Sequence, residues 1–457
     1  MIFDKKTINK LISNSFEIDC IDIFLTQKKD KDPIVYRGPG TIYQNEHGIL
    51  QIKLYTKIND INKELSHLSK YYTSGVIIAK DNFYTLKATD MSGNKWTADN
   101  IWVSANVFFP AAGLVIKTKI EEIKNIELNK SRSNTEKNYF FIIVPGQYKI
   151  PCNKSETFSD GGGRLNRAVF SVNEIDFEFK KYDNYLTIHA NPKPGKLDND
   201  IYLKLIEALS IITGCKIRAM VIKNIQKDKD VLKIKSVDNS FTNKKLFPPL
   251  KHSAPAELKY FTCFFKRYLM NIESPFSDLF GFWHKINRAW QASIENSSLS
   301  IGVAIEGILK SYFSEIGLAD EEILQQAEKA KDLIENSNLE ERIKNRLFGS
   351  IGLLKNASPK VALRQMVQDK LLDKTMVSEW EKLRNKSVHS DKMNQGLITI
   401  QKHINQINTC LALFYRLLFI IIKYEGNYID YSEKGWPEKK FKHQKCSRLS
   451  WKKKEER

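Results

Sequence analysis

The sequence predicts an α+β chain of more than one domain, a β-rich N-terminal half followed by an all-α bundle. Three observations carry this. Up to about residue 245, short runs rich in Ile, Val, Phe, Tyr and Thr alternate apolar with polar residues. Past a cluster of prolines, the apolar spacing changes to three and four residues and stays there. The 457 residues, 42% hydrophobic and 27% charged, are the length and composition of an ordinary globular protein of two or three domains.

The first half reads as strands at GILQIKLYT (48–56), GVIIAKDNFYTLKAT (75–89) and NYFFIIVPG (138–146). The stretch AVFSVNEIDFEFKKYDNYLTIHA (168–190) reads as a pair of strands with a polar turn at Asp183-Asn184. A helix interrupts at DNDIYLKLIEALSIITG (198–214), capped by Asp198 or Asp200 at its start and closed by Gly214. KIRAMVIKNI resumes the strand pattern. A sandwich or barrel with an added helix is the expectation for residues 1–245, as a sensor or regulatory domain.

SFTNKKLFPPLKHSAPAELKYF (240–261) reads as a linker, because Pro248, Pro249 and Pro255 stop regular structure there. A linker and first helix are expected over 246–274. Amphipathic helices with short joints follow, beginning with SSLSIGVAIEGILKSYFSEIG (297–317), Ser-rich at its start and ended by Gly317. The set closes with ITIQKHINQINTCLALFYRLLFIIIKYEG (398–426). Short joints between amphipathic helices predict an antiparallel bundle over 275–430. The remainder, 431–457, ends in EKKFKHQKCSRLSWKKKEER, which has little to bury and reads as a mobile basic tail.

The formal net charge is +19 and the pI about 9.3, which favours a polyanionic partner; a Lys-rich composition that serves only solubility explains the same numbers. Cys20, Cys152, Cys215, Cys263, Cys410 and Cys446 are scattered singly, with no C-x-x-C spacing. That argues against a zinc site and a disulfide framework and fits a reducing cytoplasm. The N-terminal residues have no long apolar core, so no signal peptide is expected. The run LALFYRLLFIII (411–422) is too short to span a bilayer and is interrupted by Arg416, so a buried helix is expected and no membrane partner.

EKLRNKSVHSDK (381–392) places Arg384, Asn385 and His389 close together in a chain with only 8 His. Asn385 and His389, at i and i+4, share one helix face. Arg384 and His389 are five apart, about 140° around a regular helix, so the long Arg side chain must curl round or the helix must end near Ser387. Phosphodiester transfer without a metal needs these groups. An imidazole moves a proton near neutrality, a guanidinium clamps the phosphate, and an amide orients either. RNA supplies its own nucleophile in the 2′-hydroxyl. On these residues alone, a solvated helix end with an incidental His is the favoured reading.

The R-N-x-x-x-H pattern at Arg384 to His389, on a late helix of a helical bundle, resembles the HEPN superfamily. SIGVAIEGILKSYF is similar to that family's early core helix, with Glu306 as its acidic residue. The resemblance covers roughly residues 275–425, and a β-rich half before such a bundle is similar in architecture to the ApeA-like antiphage proteins. It implies a metal-independent endoribonuclease without cofactors that cleaves RNA, with tRNA as the substrate of family tendency. It also implies a homodimer through the bundle, a role in abortive infection, and a phage-derived trigger. By the same resemblance His389 would be general base or acid, Arg384 the phosphate clamp and Asn385 a support. Glu306 would position Arg384, although a charged residue that reaches solvent from an otherwise apolar helix is the better reading of it. The alternative is a non-catalytic protein whose bundle dimerises or binds nucleic acid. A DNA-binding regulator rests on charge alone and ranks last.

Two other stretches combine basic residues with glycines or aromatic rings. DGGGRLNR (160–167) lacks the following helix of a phosphate loop, since AVFSV reads as a strand, so a surface hairpin is expected. FGFWHKINRAW, with His284, Arg288 and two Trp, could stack bases, but packing of its Trp residues on the bundle is the better reading.

Overall fold

The computed structural model describes residues 4–57, 75–103, 107–108, 113–128, 139–157, 161–192, 200–226, 228–238, 245–272, 277–316, 321–352, 358–388 and 397–442. The chain divides into two compact units, residues 1–198 with 217–242, and residues 199–216 with 243–457.

The described residues of the first unit form a helix, α1 (Lys5–Ile12), and fifteen strands. They are β1 (Glu17–Gln27), β2 (Val35–Gln44), β3 (Leu50–Thr56), β4 (Tyr84–Asp90), β5 (Lys95–Ile101), β6 (Val107–Phe108), β7 (Leu114–Lys119) and β8 (Glu122–Leu128), then β9 (Tyr139–Pro145), β10 (Lys154–Thr157), β11 (Gly163–Val172), β12 (Ile175–Lys181), β13 (Tyr185–Pro192), β14 (Val221–Ile225) and β15 (Lys229–Lys235). They form one hydrogen-bonded sheet in the order β10-β11-β12-β13-β9-β14-β15-β8-β5-β4-β1-β2-β3-β7-β6. Where the sequence reading expected a sandwich or barrel, the described strands are joined by hydrogen bonds into one continuous sheet with β10 and β6 at its ends.

Alternation sets which face is core. Ile23 and Leu25 of β1, Leu86 of β4, Trp96 of β5, Ile123 of β8 and Ile234 of β15 join one buried cluster with Leu11 of α1. The residues between them point the other way and stay at least partly exposed, while Asn125 of β8 shares the buried face with Ile123. Residues 168–190 hold parts of three strands, not a pair. The unforeseen turn is Asn173-Glu174, both with positive φ (50° and 62°), which joins β11 to β12 where Val172 pairs with Ile175. That is the backbone of a two-residue hairpin turn, and Asn is one of its usual carriers.

The second unit is helical. Its helices are α2 (Ile201–Thr213), α3 (Leu258–Asn271), α4 (Asp278–Ala292), α5 (Ile294–Tyr312), α6 (Glu321–Glu335), α7 (Glu341–Gly352), α8 (Pro359–Gln368), α9 (Lys374–Val388) and α10 (Leu397–Ile422). The helix read as an addition to the β-rich half is α2, and it packs instead with this unit. Its buried Glu207 accepts a hydrogen bond from the Tyr268 hydroxyl of α3 at 2.9 Å, so a carboxyl inside an apolar helix is satisfied. Gly214, with φ of 69°, closes α2, and its carbonyl accepts from Leu246 N and from Asn287 Nδ2, both at 3.0 Å.

The proline-rich segment is not a solvated linker over its described residues. Leu246 and Leu250 are fully buried, and the Phe247 ring packs on Trp290, Tyr431 and Trp436. The carbonyls of Phe247 and Pro248 accept from the hydroxyls of Tyr415 and Tyr431. Proline stops regular structure, yet it leaves carbonyls and neighbouring side chains free to pack. Residues 240–244 of the expected linker lie outside the described residues.

The expected mobile tail is corrected in the same way for its first part. β16 (Gly426–Ile429) pairs with β17 (Glu438–Phe441), and Phe441 is buried against Phe419 and Tyr428. Residues 443–457, including Cys446, lie outside the described residues. α5 starts three residues earlier than expected, where the Ser293 hydroxyl accepts from Asn296 N at 3.1 Å, and it ends at Tyr312; Gly317 lies outside the described residues. α10 is longer than its apolar run. By length and composition it could cross a membrane, but 78% of its most apolar window is buried inside the protein.

Candidate functional site

Three helices of the bundle, α5, α9 and α10, pack on one another and place the sequence candidates. α9 is fixed by its apolar face, where Trp380 and Leu383 are fully buried. The Trp380 indole N–H donates to the Gly302 carbonyl of α5 at 3.3 Å, and the Gln406 side chain of α10 donates to the Glu379 carbonyl at 3.1 Å. These bonds set the rotation of α9 about its axis, and so the direction of Arg384, one turn beyond Trp380.

Arg384 and Glu306 meet. The Arg384 Nε donates to Glu306 Oε2 at 2.9 Å, and its guanidinium carbon lies 5.9 Å from the Trp380 ring centroid. The other oxygen, Oε1, is 2.9 Å from Lys310 Nζ, one helical turn along α5. Glu306 is 21% exposed and Arg384 40%. Burial works against the Glu306 charge, but the Lys310 and Arg384 cations outweigh it and hold its carboxyl below the usual glutamate range. Glu306 is therefore a fixed anion. The two terminal nitrogens of Arg384 have no hydrogen-bond partner among the described residues. A guanidinium held by Nε and backed by an aromatic ring can offer that remaining pair to a planar oxyanion such as phosphate.

Asn385, next on α9, is exposed. His389 lies outside the described residues, immediately past the last described turn of α9 at Val388. The structure thus brings together Arg384 and Glu306, places Asn385 beside Arg384 in sequence on the same helix, and does not describe His389. Among the described residues there is no group of three His, Cys, Asp or Glu side chains that could hold a metal ion.

Sequence reading missed Lys310 and Trp380. Both were legible as i+4 and i−4 neighbours of Glu306 and Arg384, the spacing at which helix side chains touch. It also missed the partners of Arg416, which is 12% exposed, with NH1 2.8 Å from Asp373 and NH2 2.8 Å from the Tyr428 hydroxyl.

The other candidates resolve into structure. Arg164 and Arg167 of the DGGGRLNR stretch lie on β11 and pair with Asp183 and Glu178, each at 2.8 Å; Asp160 lies outside the described residues. Trp283 is fully buried, and Trp290 packs on Phe247, so neither indole is an open stacking platform. His284 stacks on Phe280 one turn earlier on α4. A scan against protein-family models, a search of curated proteins and a search of solved structures each return no match.

Proposed function

We propose that this chain is a metal-independent endoribonuclease of the HEPN type, acting in the cytoplasm in defence against phage. The observation that supports this reading best is the Arg384–Glu306 pair, with Nε engaged and the terminal nitrogens directed to no described group. In this reading Arg384 grips two phosphate oxygens and stabilises the charge that accumulates as phosphorus gains a fifth ligand. His389 takes the proton of the 2′-hydroxyl, the 2′-oxygen bonds to phosphorus, and the bond from phosphorus to the 5′-oxygen breaks. The leaving oxygen takes up a proton, giving a 2′,3′-cyclic phosphate and a 5′-hydroxyl. Asn385 holds the imidazole or a phosphate oxygen, and a second copy of the bundle completes the cleft as a homodimer. RNA, with tRNA as the first choice, is the substrate, and a phage product is the trigger. The free thiols at Cys20, Cys152, Cys215, Cys263 and Cys410 fit a reducing compartment.

The test is expression of the wild type and His389→Ala in a bacterium, with and without phage, followed by mapping of new RNA ends. Fragments with cyclic-phosphate ends in the wild type alone support the nuclease and name its RNA. Equal protection by both proteins without such ends removes His389 from the chemistry and leaves the non-catalytic binding reading.

A further inference from the structure

The sheet carries a cationic row that the nuclease chemistry does not use. Reading straight across the strands, Arg37 of β2 faces Phe24 of β1, Phe24 faces Lys87 of β4, and Lys87 faces Thr97 of β5. Thr97 faces Lys124 of β8, and Lys124 faces Lys233 of β15. Every one of these residues lies on the face opposite the buried cluster, because its neighbours along each strand, such as Leu25, Leu86, Trp96, Ile123 and Leu232, belong to that cluster. Five strand-to-strand steps make a row of about 24 Å.

The row is costly to the isolated sheet. Lys124 and Lys233 are direct cross-strand partners, and on the same face Lys53 of β3 directly faces Lys117 of β7. Like charges in such positions destabilise a sheet, and a bound polyanion converts that repulsion into attraction. Lys87 and Lys124 have no ion-pair partner among the described residues. Acidic groups on the face answer only part of the charge. Asp22 pairs with Arg37 at 3.0 Å, and Glu122 is shared between Lys233 at 3.7 Å and Lys235 at 3.3 Å.

Aromatic rings interleave with the cations. Arg37 lies 4.4 Å over the Phe24 ring, and Lys53 lies 4.9 Å over Tyr55, a residue 44% exposed. At the Arg37 end, Val35, Arg37, Gly38, Pro39, Tyr55, Thr56 and Lys57 line an open concavity of about 640 Å³. That is within the size range of small-ligand sites and large enough for one unstacked nucleoside. A cationic track beside exposed rings is the chemistry that holds an unpaired strand, since a duplex hides its base faces.

We infer that this outer sheet face is a binding platform for single-stranded RNA, with phosphates along Arg37, Lys87, Lys124 and Lys233 and a base in the concavity beside Tyr55. The choice of RNA over single-stranded DNA rests on the nuclease reading above.

The test uses the full chain and a fluorescent oligouridine of about 20 nucleotides, 2′-O-methylated so that it lacks the attacking hydroxyl, with anisotropy read across a salt series. The triple variant Lys87→Ala/Lys124→Ala/Lys233→Ala is expected to bind at least about tenfold more weakly, with the slope of log affinity against log salt reduced by about 2. Tyr55→Ala is expected to weaken binding about tenfold with the slope unchanged. A control triple at exposed Lys329, Lys370 and Lys374 of the helical unit is expected to change neither. Equal losses in the two triples, or wild-type affinity in the first, overturn the platform. Cleavage of unmodified RNA is followed in parallel. A platform that fails while cleavage still needs His389 leaves the nuclease standing. A platform that holds in a protein that cleaves nothing removes the nuclease instead.

Discussion

Arg384 and Glu306 are 78 residues apart in sequence and are joined by an Nε–Oε2 contact of 2.9 Å between α9 and α5. The contact fixes one edge of the guanidinium and leaves the other with no hydrogen-bond partner among the described residues. Glu306 in turn is held by Lys310, so its charge is shared between two cations, of which only Arg384 belongs to the R-N-x-x-x-H motif.

On the nuclease reading proposed above, Glu306→Gln is expected to act on turnover more than on folding. The pair is partly exposed, so its loss costs stability only about 0–1 kcal/mol. A guanidinium displaced by about 1 Å can lower kcat about a hundredfold. RNA cleavage kinetics and a thermal melt separate the two, with Glu306→Asp recovering part of the rate and Lys310→Ala close to wild type. Loss of melting temperature with unchanged kcat would show a structural role only. The pH sign follows from the lowered Glu306 pKa: the pair contributes above the ordinary glutamate value and is lost as pH falls through the lower folded value.

Trp380 tests the same geometry from the other side. Trp380→Phe keeps an aromatic face near Arg384 and loses the hydrogen bond to Gly302, a cost of about 1 kcal/mol. Trp380→Ala removes a fully buried indole and costs about 3–5 kcal/mol. Urea unfolding is the measurement, and similar midpoints for the two variants would mean that the indole is not a core contact.

Gly214 is expected to be intolerant. Its φ of 69° is left-handed, and a Cβ built there lies 1.9 Å from the Leu246 carbonyl oxygen. Gly214→Ala meets a backbone cost of about 1–2 kcal/mol plus that clash with main chain, which no rotamer can relieve. A drop in the urea midpoint of the whole helical unit is expected, because Leu246 opens the segment that Phe247 anchors. An unchanged midpoint would show that this segment moves freely.

The change of period near residue 245 made the two kinds of structure legible, since alternation and three-to-four spacing bury faces in different geometries. The affiliation of α2 was not legible, because a helical period is the same whichever core it meets. A carboxyl at Glu207 amid Leu, Ala and Ile was the one signal that a specific polar partner, Tyr268, had to wait for it. The proline-rich segment was read by its prolines, while Leu246, Phe247 and Leu250 were what decided its place. At the site, the motif itself is local and could be read, and so could the i−4 Trp380. The pairing of Arg384 with Glu306 depends on how α5 and α9 pack, which no local pattern encodes.

Asp430 is the clearest place to ask whether the residues after α10 are structural. Its side chain is fully buried, with Lys439 Nζ at 2.8 Å, Arg416 NH2 at 3.8 Å and Ser432 N at 3.0 Å. Burial raises the carboxyl pKa, but hydrogen bonds from Lys439 and Ser432 more than offset it and hold the group below the usual aspartate range. Asp430→Asn leaves Arg416, at 12% exposure, with Asp373 as its remaining acidic partner. Breaking a buried pair in this way costs about 3–5 kcal/mol. The double variant Asp430→Asn/Arg416→Met removes the cation that has lost one of its two acidic partners and is expected to recover part of the loss. Because the folded pKa is lowered, the wild-type advantage is present above the ordinary aspartate value, about 3.9, and is lost as pH falls through the lower folded value. Stability measured from pH 7 down to about 2 should therefore fall more steeply for the wild type than for Asp430→Asn. Parallel curves would mean that folding leaves the Asp430 pKa unshifted, and that the segment 431–442 is held by Phe441 and its neighbouring rings instead.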